Sequence, residues 1–424
     1  MSFIDRPRQS LARRWLFQIH LWTGLILGPV VGVVALTGAI VVFRYELNRV
    51  TTPGTAYVEP QAHRLTIDEL AARIQTARPD DTLRQIGWGE VGPGNAWNVR
   101  AESPEGHRIH TYINQYTGEI TGRDDYHQKW LQWFFDLHAY LLAGDTGEFL
   151  NGFVGLATAL LGITGLIVWW PGTAHWTFGF RYLFGASWKR QTYDLHKVVG
   201  FYTSLAVVVV ALSGAYFAFP RAYRAFAERL TGTRATVDVP KASTVWSDRR
   251  VPMEDFIRAA EAEQPGATAI AFQFPQKQGD PVTLRTKEAN DWHRVGLNYV
   301  YLEPADARVI RSVRFSDASA ATQAILFMYP LHFGRFGGRW NSVAFYGVMA
   351  LYVFIGLAPF ALMVTGLLMY WNRSLVKKMR RRRLRHRGAA GRAVRDTSVV
   401  PPPRSATQGR ASRSRPAAAP RPQP

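Results

Sequence analysis

Four apolar runs, each long enough to cross a bilayer, divide this 424-residue chain, and they come as two copies of one unit. A membrane helix needs about 20 apolar residues, and the runs at 16–43, 149–171, 196–219 and 343–371 all reach that length. The first opens with His20-Leu21-Trp22-Thr23-Gly24 and passes Thr37-Gly38. The third opens with His196-Lys197-Val198-Val199-Gly200 and passes Ser213-Gly214, so His20, Gly24 and Gly38 each recur 176 positions later. The second and fourth also match. One goes from Leu137-His138 through Thr164-Gly165 to Trp169-Trp170, the other from Leu331-His332 through Thr365-Gly366 to Tyr370-Trp371. A repeat this long is a duplicated pair of helices around an insert, not a solenoid. The expected fold is an α-helical integral membrane protein with four transmembrane helices in two repeats, each repeat carrying an α+β insert.

The charge suggests an orientation. Residues 1–19 carry +3, 172–195 carry +2 and 372–424 carry +15, which accounts for the whole formal charge of +20. Short flanks rich in Lys and Arg stay on the cytoplasmic side. Both termini and the 172–195 loop are therefore expected inside, and the inserts outside. The first run has no small-residue cleavage pattern after it and recurs later, so it reads as a retained helix and not a signal peptide. So basic a chain could bind nucleic acid, but most of the excess lies in Lys377-Lys378-Met379-Arg380-Arg381-Arg382-Arg383, directly after a membrane run. A stop-transfer segment facing anionic lipid explains that run, and no nucleic-acid partner is expected. The absence of Cys excludes disulfides, thiolate haem ligation and iron–sulfur clusters within this chain.

Along the chain the expected segments are a basic N-terminus (1–15), the first span (16–43), an insert (44–126), an amphipathic helix (127–148) and the second span (149–171). Then come the inside loop (172–195), the third span (196–219), a second insert (220–320), an interfacial segment (321–342), the fourth span (343–371) and a basic disordered tail (372–424). In the first insert, Thr66 with Glu69 three residues on predicts a capped helix that stops near Pro79. Strands are expected at Trp97–Arg100 and His110–Asn114. The second insert repeats this order, with a helix from Met253 and strands near 269–274, 282–285 and 297–302.

Under this topology His20 and His196 form an inner pair, and His138 and His332 an outer pair. Ionisable residues at membrane depth are costly, and two matched pairs of them form a ligand pattern. A b-type haem can be held by one imidazole from each of two facing helices, so two haems are expected. Gly24 and Gly200 lie four residues after their histidines, on the same helical face, and would leave room for a macrocycle or a close helix. The plain alternative is interfacial histidines that only make hydrogen bonds. A bare zinc ion is a poor candidate, since three protein ligands are its usual minimum.

His127, eleven residues before His138, is a reserve outer ligand. His63, His107, His110 and His293 read as surface residues of the inserts, and His175 and His386 receive no role. Arg335 and Arg339, with Arg44, suit haem propionates or another anionic ligand, or simply anchor helix ends at the headgroups. The terminal Trp and Tyr residues, such as Trp15, Trp22, Trp169, Trp170, Trp340 and Trp371, form an aromatic belt. With no phosphate loop, Rossmann fingerprint or Gly-x-Ser-x-Gly, the electron donor has to be a membrane quinol or a cytoplasmic reductase.

The helix stopped by Pro79 and the run Tyr112-Ile113-Asn114-Gln115-Tyr116-Thr117-Gly118-Glu119-Ile120 resemble a PepSY domain. Leu137-His138…Gly144-Asp145-Thr146-Gly147…Trp169-Trp170-Pro171 and Leu331-His332-Phe333-Gly334-Arg335-Phe336-Gly337-Gly338 resemble the PepSY-associated transmembrane family. In the second insert Pro304-Ala305-Asp306-Ala307 stands where the family turn usually has a glycine. That family includes iron-regulated inner-membrane proteins and siderophore-reducing haem proteins of Gram-negative bacteria. The resemblance implies periplasmic PepSY-like inserts, the bacterial inner membrane and reduction of a periplasmic ferric siderophore or other ferric chelate. It leaves open a haem-free regulator, acting by peptidase inhibition or envelope sensing, and an iron-chelate permease subunit.

Overall fold

The computed structural model describes residues 7, 10–51, 54, 57–88, 94–106, 108–125, 130–289, 291, 296–337 and 342–375. Two compact units are distinguished, 1–369 and 370–424. Of the second, only Tyr370, which ends a long helix, and the π turn Trp371–Leu375 fall in the described part.

The first apolar run is not one straight helix. It forms α1 (Leu11–Ile26) and α2 (Gly28–Val41), which meet at a bend of 65°. Pro29, in the first turn of α2, has no amide hydrogen to continue the ladder, and its ring crowds the preceding turn. Among the described residues three helices are long and apolar enough to cross a membrane, or four if the bent pair counts as one span. Those three are α6 (Gly144–Trp169), α7 (Trp188–Ala218) and the stretch Val343–Ser374, of which Val343–Tyr370 is α11. The helix that carries the third apolar run begins at Trp188, so His196 lies more than two turns inside a 31-residue helix. The bonded pair Arg190 and Asp194 extends that helix beyond its apolar run.

α3 (Arg44–Thr51) leads into the first insert, which folds as α4 (Ile67–Ala77), β1 (Thr82–Gly87), β2 (Trp97–Glu102), β3 (Arg108–Ile113) and β4 (Ile120–Asp125). The Thr66–Glu69 capping box is present at the start of α4. The segment expected as one amphipathic helix over 127–148 breaks in two. α5 (Trp130–Tyr140) ends in a turn where Leu141 and Leu142 have φ of 48° and 58°, and α6 follows at once. A Cβ on Gly147 would lie 1.6 Å from the Tyr140 carbonyl oxygen, so only glycine allows this return.

After α7, α8 (Pro220–Thr231) leads to α9 (Met253–Glu263), β5 (Ala267–Gln273), β6 (Val282–Glu288), β7 (Asn298–Leu302) and β8 (Val309–Val313). α10 (Ala320–Phe333) then precedes α11, so most of the expected interfacial segment is helical.

The inserts are not separate domains. Their strands form one antiparallel sheet of eight described strands in the order β4-β3-β2-β1-β5-β6-β7-β8, joined where β1 pairs with β5. At the seam Ile86 faces Phe272, and both are fully buried in a core shared by α4 and α9. The two helix N-termini cap each other. The Glu254 carboxylate accepts from the Ile67 amide (2.5 Å), and Asp68 accepts from the Met253 amide (2.6 Å). Glu303 is 3% exposed, and its carboxylate accepts from the amides and hydroxyls of Ser243 and Thr244 at 2.8–3.1 Å. Burial acts to raise this carboxyl, but those hydrogen bonds outweigh it and hold it below its ordinary value.

Candidate functional site

The four histidines meet in two pairs. His20 on α1 faces His196 on α7, with ring centres 6.4 Å apart and planes at 87°. His138 on α5 faces His332 on α10, at 6.0 Å and 20°. The second pair is sheet-proximal, since its histidines sit on the helices that follow β4 and β8, and the first is sheet-distal.

Each ring backs onto a Thr-Gly or Ser-Gly step on another helix. His20 Nδ1 lies 3.1 Å from Thr164 Oγ1, and His196 Nδ1 lies 2.9 Å from Thr365 Oγ1. The carbonyls of Leu161 and Leu362, three residues before those threonines, interact with the same rings. In the sheet-proximal pair the corresponding carbonyls are the nearest acceptors. Val34 O is 2.8 Å from His138 Nδ1, and Val210 O is 3.0 Å from His332 Nδ1, with Ser213 Oγ at 3.3 Å.

The hydroxyl protons are already committed along their own helices. Thr164 Oγ1 donates to Leu160 O (2.6 Å), Thr365 Oγ1 to Ala361 O (2.7 Å) and Ser213 Oγ to Val210 O (2.9 Å). Such a hydroxyl, like a carbonyl, can only accept, so all four Nδ1 atoms carry the proton and donate it. In a neutral imidazole this leaves Nε2 as a lone pair available to a metal. Burial holds His138 below the ordinary imidazole value, and burial with the neighbouring His138 pushes His332 down to about 4, so both are neutral near pH 7.

At Gly38 and Gly214 the missing side chain is what lets the ring approach. A Cβ would lie 2.7 Å from His138 Cε1 at Gly38 and 2.7 Å from His332 Cε1 at Gly214. At Gly165 it would lie 3.2 Å from His20 Cε1, and at Gly366 3.5 Å from His196 Cε1. Sequence reasoning noticed these dipeptides only as repeat markers. The signal was available, since each repeat pairs two histidines with two hydroxyl–glycine steps.

Two imidazoles bound through Nε2 on opposite sides of one metal, with bonds of about 2.0 Å and about 1.1 Å from nitrogen to ring centre, have centres about 6.2 Å apart. The observed 6.4 and 6.0 Å fit that span. Among the described residues there is no group of three or more His, Cys, Asp or Glu that could hold a metal ion. A pair of imidazoles is suited to a metal whose remaining positions are filled by a macrocycle.

Gly24 and Gly200 are in ordinary contact range of Leu161 and Leu362, at 3.7 and 3.6 Å for an added Cβ. Arg335 is 4% exposed, pairs with Glu46 at 3.3 Å and donates to Val42 O at 3.1 Å, near the end of α2. Arg44 stacks over Phe135. Arg339, Trp340, His107, His127, His293 and His386 lie outside the described residues. His63 precedes α4, His110 is on β3, and His175 is in the 3-10 turn Thr173–Phe180.

Four supporting contacts carry no sequence signature. Asn151 Nδ2 donates to His138 O (2.6 Å) and Ala139 O (3.2 Å), holding the end of α5. The Tyr352 hydroxyl donates to Leu331 O, beside His332. Arg13 donates to Val168 O (2.6 Å), at the C-terminal end of α6. Lys197, next to His196, donates to the buried Asp194 (3.0 Å) and to Phe178 O and Arg181 O, tying the connecting turn to α7.

The family described as the PepSY-associated TM region matches residues 17–373. No curated protein matches the chain. The matched span contains both histidine pairs and all four hydroxyl–glycine steps, and the chain belongs to the PepSY-associated transmembrane family.

Proposed function

We propose that this protein carries electrons across a membrane through two b-type haems, one held by His20 and His196 and the other by His138 and His332. The observation that carries this reading is the ring spacing of 6.4 and 6.0 Å, with every Nδ1 turned to an acceptor. When bound, haem supplies an iron that gains and loses one electron. The residues of the chain do the rest. The histidines would hold that iron through their Nε2 atoms, the hydroxyls and carbonyls fix the ring orientation and tautomer, and Gly38 and Gly214 make room for the rings of His138 and His332.

From His196 to Ser213 α7 rises about 25 Å, and a hydrocarbon layer is about 30 Å thick. That fits one pair toward each face. We read four spans, with the bent α1–α2 as the first, both termini in the cytoplasm and PepSY-like inserts in the periplasm of the bacterial inner membrane. A quinol or a cytoplasmic reductase donates at the sheet-distal pair. The acceptor is a ferric siderophore or another ferric chelate, for which Arg339 is a candidate contact, while Arg335, 4% exposed and paired with Glu46, is a candidate only for a haem propionate. Reduction frees the iron, because hard oxygen ligands hold ferrous iron far less tightly. This makes the protein a membrane ferric-siderophore reductase.

The purified protein should show a Soret band that shifts with dithionite, and a colourless preparation from haem-replete cells would end this reading. In right-side-out vesicles it should reduce an impermeant ferric chelate added outside. Equal rates in wild type and a His138→Ala/His332→Ala double variant, at matched protein level, would sink the reductase assignment.

A further inference from the structure

The two pairs are chemically unequal, and from their geometry we infer that His138 and His332 hold the more reducing of the two haems, so that electrons leave the protein from its stronger donor. This inference rests on the dihaem reading above. Two independent observations support it.

The first is the angle between the ring planes, 20° in the sheet-proximal pair and 87° in the sheet-distal pair. Imidazoles in parallel planes push filled π density into the same iron d orbital and raise it. The ferric hole settles in that orbital, which stabilises the oxidised state. Perpendicular imidazoles act on two different d orbitals, leave them close in energy and stabilise ferric iron less. The near-parallel pair therefore has the lower potential.

The second is the nearest acceptor for each Nδ1–H. Val34 O and Val210 O are the nearest acceptors of the sheet-proximal rings at 2.8 and 3.0 Å, with Ser213 Oγ farther at 3.3 Å, whereas the hydroxyls of Thr164 and Thr365 at 3.1 and 2.9 Å share the sheet-distal rings with the carbonyls of Leu161 and Leu362. A carbonyl draws the proton harder than a hydroxyl does. The ring gains imidazolate character, donates more strongly to the iron and lowers its potential. Both effects act in the same direction.

Each transfer between the pairs moves one electron. A quinol donor becomes quinone by giving up two electrons in succession and releasing two protons to water, two ferric chelates become ferrous, and no atom is exchanged at either histidine pair. Thr164 and Thr365 are positioning residues of the sheet-distal pair, acting on the iron only through their histidines.

The test is a redox titration of the full-length protein in nanodiscs, followed by visible and paramagnetic resonance spectra. The ferric protein should give two low-spin signals, one strongly axial with a single large g value and one rhombic. The rhombic component should be reduced last. Thr365→Val should shift the potential of the axial component upward and leave the rhombic one in place, and Thr164→Val marks the same pair if the first variant loses its haem. The inference is overturned if the component altered by these variants is the one reduced last, or if both components share one potential and one signal type. A preparation that binds no haem would instead remove the dihaem reading, and this inference with it.

Discussion

The imidazole of His138 fills the space that a side chain on Gly38 would need, with Cε1 only 2.7 Å from where a Cβ would sit. Gly214 stands to His332 in the same way at 2.7 Å, while Gly165 and Gly366 leave 3.2 and 3.5 Å to their histidines. Substitutions along this series should be graded. Gly38→Ala and Gly214→Ala should each cost about 1–3 kcal/mol through overpacking and, on the proposed dihaem reading, lose the sheet-proximal haem component. Gly165→Ala should have a smaller effect on the sheet-distal component, and Gly24→Ala and Gly366→Ala little. Haem-to-protein ratios of the purified variants check the order, and a Gly38→Ala protein with wild-type haem content would contradict it.

Ala307 has φ of 59° in a turn that matches the one holding Gly118, whose φ is 71°. In both turns the amide at this position donates back four residues, Gly118 to Asn114 O and Ala307 to Glu303 O. The glycine expected from the family pattern is absent, yet the backbone keeps the conformation and carries a left-handed penalty of about 1–2 kcal/mol. Ala307→Gly should therefore stabilise the eight-stranded sheet by about 1 kcal/mol, read as a rise in thermal midpoint. A fall would show that the methyl packing outweighs the strain.

Glu303 binds its proton less readily in the folded protein than in the unfolded chain. Its contribution is complete above the unfolded value near 4.5 and is lost as pH falls through that value toward the lower folded one. Glu303→Gln should cost about 2–3 kcal/mol at neutral pH, the usual scale for hydrogen bonds to a buried charge. The gap to wild type should narrow below pH 4.5. A gap that stays constant down to pH 3 would mean that the carboxylate charge is not what Ser243 and Thr244 hold.

Asp68 and Glu254 exchange caps between the two inserts, so their effects should couple. Each of Asp68→Ala and Glu254→Ala removes one N-terminal cap, at about 1 kcal/mol. The double variant should depart from additivity by about 0.5 kcal/mol or more. Burial raises the Glu254 carboxyl, so its ionisation opposes folding, and its contribution declines as pH rises through the folded value. Additive losses in urea titrations of the full chain would mean that the two caps act separately.

The duplicated helices and four histidines were legible because apolar length and a repeated spacing are local properties of the sequence. The Thr66–Glu69 box was legible for the same reason, as its partners are three residues apart. β1 was not, since Thr82-Leu83-Arg84-Gln85-Ile86-Gly87 shows only one strongly apolar buried residue, Ile86. Its reason for being a strand is the distant β5, which pairs Ile86 with Phe272. β4 escaped for a similar reason, as its polar Gly122-Arg123-Asp124 run becomes a strand only by pairing with β3. In the site, the glycines four residues after His20 and His196 drew notice by helical spacing. The glycines that touch imidazoles lie on other helices, and no single-helix pattern reveals them.

The seam between β1 and β5 also limits how the two halves of the duplication can move. Transporters built from repeats alternate access by rocking one repeat against the other around a central site. Such a swing here would pull apart the Gln85–Gln273, Ile86–Phe272 and Gly87–Ala271 pairings and open two fully buried side chains to water. It would also break the paired caps of α4 and α9. The halves are stitched together outside the helices, so one repeat cannot swing against the other without first tearing the sheet they share.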